Sequence, residues 1–497
     1  MGAEKPVAIG IDLGVFETTV ATPHPGGAYI VKNTEGNLST PSVVMFDDEG
    51  RAISGREASQ LIGVVESGVH AGFIRELGQA TTPTVTDGRA NPTNLTAILL
   101  KDIASGVIRD LGPIGRVTIA ISAGAPDAFR GALLEATKQA GLSQISLIDQ
   151  PTAAAIYLST RGNLRGKYLF VHLNKAGFDA SVFEAAGDTL QVTSSAGVQG
   201  LNSDDFRGKL LQLIADKFRE MTGSPKEADQ ICLECCITNS DIRSLCELLG
   251  KKPAARCRAI SQEHGRIAIE LTQAEFLSAL TPLLEQLRFA AEEAILRAQL
   301  DWSELAGIFL VCEEADRPFV EKFFAGFTSH CLSTAPETVF ALGAAIHAGR
   351  IQEPRAREKW RGLDDRPLRT VDLAPCFFGL IETDWLTGEL HNRIIITKGE
   401  PLPVVRVFRL KADASGKIPE LLFSQSAEAE SIAEFVHVIG TINHTRCRPF
   451  ASLTLTMGCD TYGAGYLELQ NDDDGTSHAI RLAKSAKPNP DLHDDDL

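Results

Sequence analysis

Positive charge is scarce in this chain of 497 residues: 48 lysines and arginines face 64 aspartates and glutamates, leaving a formal charge of −16. That balance disfavours a nucleic-acid backbone or an anionic membrane as the main partner. Long apolar runs are missing too. None approaches the roughly 18 residues that a membrane-spanning helix requires, so no membrane span is expected. The first residues, MGAEKPVAIGIDLG, run straight into a strand pattern and lack the apolar segment and cleavage site of a secretory leader. A cytoplasmic location is therefore expected. The ten cysteines are scattered and do not form the framework of a small secreted protein. Cys232 and Cys235 have CxxC spacing, with Cys236, Cys246 and Cys257 further on, but no second CxxC or histidine pair follows at finger spacing. Free or buried thiols and a zinc site both fit that pattern, and the expectation is no metal.

What is present is an ordinary globular composition, 44% apolar and long enough for about two to four domains. Residues 6–13, PVAIGIDL, read as a buried strand ending in a turn at Gly14. Residues 167–173, KYLFVHL, read the same way, with a turn at Gly177. Each leads into a further β segment, TTVATP and FDASVFEA, which makes an internal repeat about 160 residues apart. Two unrelated buried strands would show the same pattern. Thr272 and Glu275 have capping-box spacing, and Phe276, Leu280, Leu283, Leu284, Leu287 and Ala291 follow at helical intervals, predicting a helix over 271–299. DWSELAGIFLV reads as a turn and a buried strand, and TAPETVFALGAAIHAGRI as a small-residue helix. Residues 351–369 are charged, contain two prolines and read as a linker. Beyond them HNRIIITKG, VVRVFRL, ELLFSQ, EFVHVIGTI, ASLTLTM and GYLELQ alternate with period two and predict an antiparallel sandwich. The expected divisions are 1–352, a linker 353–370, a sandwich 371–484 and a disordered acidic tail 485–497.

The stretch IDQPTAAAIY, Ile148 to Tyr157, follows an Ala/Gly-rich helix pattern and precedes a buried strand. That order resembles the centre of the ATPase domain of DnaK-type chaperones, the seventy-kilodalton heat-shock family. Other segments resemble the same family in order. They are GIDLG at Gly10 to Gly14, NTEGNLSTPSVVMF at Asn33 to Phe46, VTIAISAGAPDAFRGALLEATKQAGL with Arg130, IRSLCELLG at Ile242 to Gly250, PETVFALGAAIHAG at Pro336 to Gly349, and DLAPCFFGLIET at Asp372 to Thr383. The resemblance spans about residues 6–350 and 370–480. It implies an α/β actin-like domain, a duplicated ribonuclease H-like plan with two phosphate turns. An all-β peptide-binding sandwich follows, and no helical lid is expected after it. Nucleotide contacts carried over by the resemblance are Asp12, Gly14, Lys175, Asp179, Glu247, Lys251 and Gly343.

The chemistry of that family is altered at almost every motif. The family pattern N-E-P-T-A-A-A has its acid where this chain has Gln150. Two threonines of the first phosphate turn become Val15 and Phe16, which donate no hydrogen bond. The second turn, D-L-G-G-G-T-F-D, becomes His172, Leu173, Asn174, Lys175, Ala176, Gly177, Phe178, Asp179. Glycines that let a backbone nest approach phosphate are lost there. The catalytic lysine aligns with Ile74, beside Arg75. The adenosine loop acquires Glu313 and Glu314, and the L-G-G-E-D-F turn becomes Leu201, Asn202, Ser203, Asp204, Asp205, Phe206. Val15, Phe16 and Glu313 could plug the site. Gln150, Gly177, Ile74 and His172 are thus degenerate positions, and no catalytic residue is expected. With Asp12 and Asp179 as the remaining candidates for magnesium, the expected cofactor is none, or weakly bound ATP or ADP.

The family's switch proline aligns with Ser122, and its apolar linker with Arg369, Thr370 and Val371. A polar linker is expected to dock poorly, since burying an unpaired Arg369 is costly. In the sandwich the resemblance puts the peptide arch at Asp384 and Lys411 and the cleft walls at Ile381, Phe408 and Ile418; the same apolar residues could equally be sandwich core. The terminal HDDDL is either a tail for a tetratricopeptide clamp or a solvating segment. The expected role is a non-hydrolysing scaffold or co-chaperone in protein folding. Its expected partner is a protein, such as a J-protein or another chaperone, with ribosome association by analogy. The alternatives are an ATP-binding chaperone with weak ATPase and a nucleotide-independent peptide- or protein-binding module.

Overall fold

Val7–Leu13 is a strand because its apolar residues are nearly continuous, the pattern of a strand covered on both faces. It pairs antiparallel with Glu17–His24, with Gly10 opposite Ala21 and Leu13 opposite Thr18. A computed structural model describes residues 6–481, except 80–89, 353–368, 384–389 and shorter stretches of one to four residues. The chain divides into two compact units, Met1–Asn163 with Asp188–Val192 and Phe340–Leu497, and Leu164–Gly187 with Thr193–Val339.

In the first unit, one sheet runs in the order Gly27–Val31, Glu17–His24, Val7–Leu13, Ile114–Ile121, Ile145–Asp149. The first three strands form an antiparallel meander, and the last two join it in parallel. Asn91 caps the helix Pro92–Leu111 by accepting the Asn94 N–H, with proline at its first position. That helix buries Leu95, Leu99, Leu100 and Ile103 against the sheet core of Ile9, Ile11 and Ile119. The small residues of Val339–Gln352 permit close packing. A Cβ on Gly10 would fall 2.0 Å from the Ala345 nitrogen, and one on Gly343 would fall 1.8 Å from the Ala153 carbonyl oxygen.

The second unit repeats the plan. The hairpin Gly166–Leu173 with Phe178–Ala186 is joined in parallel by Leu305–Cys312 and then Cys331–Ala335, and extended on its other side by the strand ending at Val198. The sequence repeat is therefore a repeat of topology. Helix Gln273–Arg297 starts where the capping box places it: Thr272 Oγ1 accepts the Glu275 N–H, and Glu275 accepts from the Thr272 N–H. Its face of Phe276, Leu280, Leu284 and Leu287 enters the core with Phe178, Val182 and Phe319.

The sandwich lies within the first unit. Its two four-stranded sheets run Leu390–Ile396, Phe377–Thr383, Leu421–Ser426, His437–Ile442, and Val404–Lys411, Ser452–Cys459, Gly465–Asn471, Ser477–Arg481. Phe378, Phe423, Leu455, Met457 and Leu467 fill the space between them. The linker expectation needs correction at one point. Arg369–Val371 forms a short parallel strand on Thr189–Gln191. Strand pairing uses backbone groups, which the polarity of the side chains does not remove. The rest of the expected linker, Asp384 and the acidic tail lie outside the described residues. Among the described residues no helix is long and apolar enough to cross a membrane.

Candidate functional site

In both sheets the hairpin turn follows the carboxyl end of a strand with parallel neighbours, the end at which open α/β sheets gather ligands. Each turn is described in its own unit.

In the first unit, Gly14 is required by its turn: a Cβ there would fall 2.3 Å from the Glu17 carbonyl oxygen. Ser42 closes the turn from outside. Its hydroxyl donates to the Gly14 carbonyl at 2.8 Å, and its N–H donates to the Phe16 carbonyl at 2.8 Å. Phe16 remains 40% exposed, and the Arg75 guanidinium lies 6.0 Å from its ring centroid. Ile74, expected at the lysine position, is buried and belongs to the core with Phe73 and Leu77. Gln150 opens the helix Gln150–Ser159, and its Nε2 donates to Asp12 Oδ1 at 2.8 Å. Desolvation raises the Asp12 pKa to about 7, against a smaller lowering by that hydrogen bond. Gln150 thus holds a carboxylate with a neutral donor. A second carboxylate at this distance would need a cation or a shared proton. Beside it, Arg130 and Asp149 form a buried ion pair at 3.0 Å. Burial still raises the Asp149 pKa, with Arg130 opposing it.

In the second unit, the turn Asn174–Gly177 is closed by its first side chain. Asn174 Oδ1 accepts the Ala176 N–H at 2.7 Å and the Gly177 N–H at 3.2 Å, as asparagine does at the start of tight turns. Those two donors fix the amide's orientation, so Nδ2 faces His172 Nε2 at 3.0 Å and donates to it. The His172 ring is therefore unprotonated at Nε2, and burial lowers its pKa to about 4. The Asn174 carbonyl accepts the Ser203 N–H at 3.0 Å. Asn202 and Asp205 cap the helix Ser203–Thr222 reciprocally, taking further N–H groups of its first turn. Asp179 lies opposite His172, and burial raises its pKa to about 6. Lys175 points to solvent at the turn's tip.

The segments that resemble an adenosine pocket are linked by ion pairs. Arg207 pairs with Asp204 at 2.5 Å and with Glu313, and Arg243 lies 3.9 Å from Glu313 and 3.6 Å from Glu247. Asp316 is buried beneath them, and desolvation raises its pKa to about 7, with Arg207 opposing. Lys251 is exposed at the end of the helix Asn239–Lys251. Gly343 is placed by helix packing against Ala153. Among the described residues no cluster of three or more His, Cys, Asp or Glu is arranged to hold a metal, and no disulfide joins the described cysteines.

In the sandwich Ile418 is buried in the core, Phe408 packs partly buried against it, Ile381 is buried and Lys411 is exposed. The structure thus joins Asp12 to Gln150, His172 to Gly177 through Asn174, and Glu247 to Glu313 through Arg243. Sequence reading missed the capping role of Asn174 and the parts played by Arg207, Arg243 and Asp316. An asparagine opening a four-residue turn was the available signal for the first. No local signal marks the others, because Arg207 and Glu313 are 106 residues apart.

Comparison with known proteins matches residues 8–87 and 76–385 to the family described as Hsp70 protein. The chaperone protein DnaK of Thermotoga petrophila is 27% identical over 390 residues, covering 76% of this chain and 64% of its own length. That of Thermosipho melanesiensis is 27% identical over 435 residues, 85% of this chain and 71% of the relative. The chain therefore spans less than two thirds of the Thermotoga protein it matches. With a matched region of this extent and the same strand order in both units, the chain belongs to the Hsp70 family and has that family's actin-like ATPase fold.

Proposed function

We propose that this chain is a non-hydrolysing scaffold or co-chaperone in protein folding, its nucleotide site closed by its own side chains. The observation that carries this reading is the Asn174 amide, which occupies the Ala176 and Gly177 N–H groups that a phosphate would need. Three further features support it: Gln150 tied to Asp12, Phe16 in place of a hydroxyl donor, and the Arg207–Glu313–Arg243 links in the adenosine segments. Phosphoryl transfer depends on metal, positioned water and donors aimed at developing charge, and each missing donor costs roughly 10²–10³ in rate. The residues present do not fit a magnesium–nucleotide complex: Asp12 is tied to Gln150, the Asn174 turn N–H groups are occupied, and among the described residues no carboxylate cluster is arranged for a metal. What remains useful is a rigid frame carrying a sandwich, suited to holding a protein partner in the cytoplasm; a J-protein at the ribosome is the specific candidate.

The test is ATP turnover by the full chain, alone and with a J-domain protein and a model peptide. No release of phosphate above the protein-free blank is expected. Turnover that a J-domain stimulates and that Lys175→Ala abolishes would overturn the proposal.

A further inference from the structure

The strands Ala254–Ser261 and Gly265–Thr272 of the second unit form a two-stranded antiparallel ribbon. Its inward residues Ala255, Cys257, Ala259, Ile269 and Leu271 join the unit's core. The opposite face presents Arg256, Arg258, Ile260, Arg266, Ala268 and Glu270, all exposed, with Arg256 opposite Glu270, Arg258 opposite Ala268 and Ile260 opposite Arg266. Lys251 and Lys252, also exposed, lead into it. Between Lys251 and Thr272 five basic residues face two acidic ones, Glu263 and Glu270, in a chain whose formal charge is −16.

These cations are little used within the chain. Arg256 and Glu270 are 3.8 Å apart with side chains 72% and 62% exposed, a pair that solvent screens. Lys251, Lys252, Arg258 and Arg266 form no ion pair among the described residues. Ile260, 63% exposed, sits among them. Ala254–Ser261 is paired with Gly265–Thr272 along one side and has a second edge, whereas on Gly265–Thr272 the Glu270 carbonyl accepts from Lys217 Nζ. A two-stranded ribbon gains from a third strand.

We propose that the edge strand Ala254–Ser261 docks an extended acidic segment of a partner protein. That segment adds a third strand to the ribbon and sets its carboxylates against Arg256, Arg258 and Arg266. Residues on one face of a strand repeat every ~6.6 Å, so acids at alternate positions of the incoming strand keep step with Arg256 and Arg258. Ile260 and Ala268 give the partner's side chains an apolar strip that a sugar–phosphate backbone would leave uncovered. The strand Ala254–Ser261 shares no residue with either phosphate turn.

Fluorescence anisotropy on the full, nucleotide-free chain tests this. The probe is a labelled peptide of about ten alternating glutamates and valines. Its controls are a peptide of the same composition with the glutamates in one block, a backbone N-methylated version, and a single-stranded RNA. The alternating peptide is expected to bind, more weakly at high salt, and both control peptides about ten-fold less tightly. Replacing Arg256, Arg258 and Arg266 with alanine is expected to weaken binding about ten-fold without moving the Tm. The single change Arg258→Glu gives the same direction should the triple variant unfold. Equal binding of alternating and block peptides, or unchanged binding by the arginine variants, would overturn the proposal. Tighter binding of RNA than of peptide would overturn the choice of a protein partner.

Discussion

At the scale of single residues, both hairpin turns are flanked by neutral hydrogen bonds, Gln150 to Asp12 in one unit and Asn174 to Ala176 and His172 in the other. On the proposed reading, Asn174 supplies the acceptor that a phosphate would supply, and Gln150 supplies a neutral donor to Asp12. Asn174→Gly removes the acceptor for two N–H groups and the donor to His172. It is expected to lower stability by about 1–2 kcal/mol, read by chemical denaturation, and to raise ATP affinity about ten-fold in calorimetry. Gln150→Glu places a second carboxyl group 2.8 Å from Asp12 Oδ1, where the pKa is already about 7. At acid pH the two can share a proton. Above about pH 8 they repel, and a loss of about 1–3 kcal/mol relative to pH 6 is expected in the same measurement. Both departures from the family pattern were legible in the sequence; their consequences were not. The partner of Gln150 is 138 residues away, and Glu313, expected as a plug, is held in an ion pair with Arg207.

At the scale of elements, what was legible is what local chemistry determines. Thr272 and Glu275 placed a helix start correctly because a capping box needs no distant residue. The two hairpins were visible because strands buried on both faces read as unbroken apolar runs. The strand Arg369–Val371 was not, since its pairing with Thr189–Gln191 depends on backbone geometry alone. Small residues in Val339–Gln352 announced close packing but not its partner. The closest approach is Gly343 to the Ala153 carbonyl, and Gly343→Ala puts a methyl group 1.8 Å from that oxygen. Because the obstacle is backbone, a loss of about 3 kcal/mol or more is expected, measured as a lower denaturation midpoint with an unchanged slope.

At the scale of the whole molecule, the buried acids set a pH dependence. Asp12, Asp127 and Asp316 have pKa values raised to about 7, and Asp179 to about 6, chiefly by desolvation, from an ordinary 3.8. Across that window the folded chain binds more protons than the unfolded one, so stability falls as pH rises through the folded pKa values. His172 and His347 act oppositely, with pKa values lowered to about 4 by burial, and cost stability as pH falls below 6.5. The Tm is therefore expected to drop between about pH 6 and about pH 8. Asp127 makes one contribution separable. Its Oδ2 accepts the Gly465 N–H of the sandwich at 3.1 Å, while Oδ1 is buried without a partner. Asp127→Asn keeps an acceptor and removes the charge, so it should raise the Tm at about pH 8 and change it little at about pH 6. That contact joins residues 338 apart in sequence, which is why segment order revealed the family but not the place of the sandwich. The central claim, that the chain's own side chains close the nucleotide site, is tested most directly by calorimetric titration of the full chain with ATP and ADP in the presence of magnesium. No heat and no thermal shift at millimolar nucleotide is the predicted result; saturable binding at micromolar concentration would contradict it.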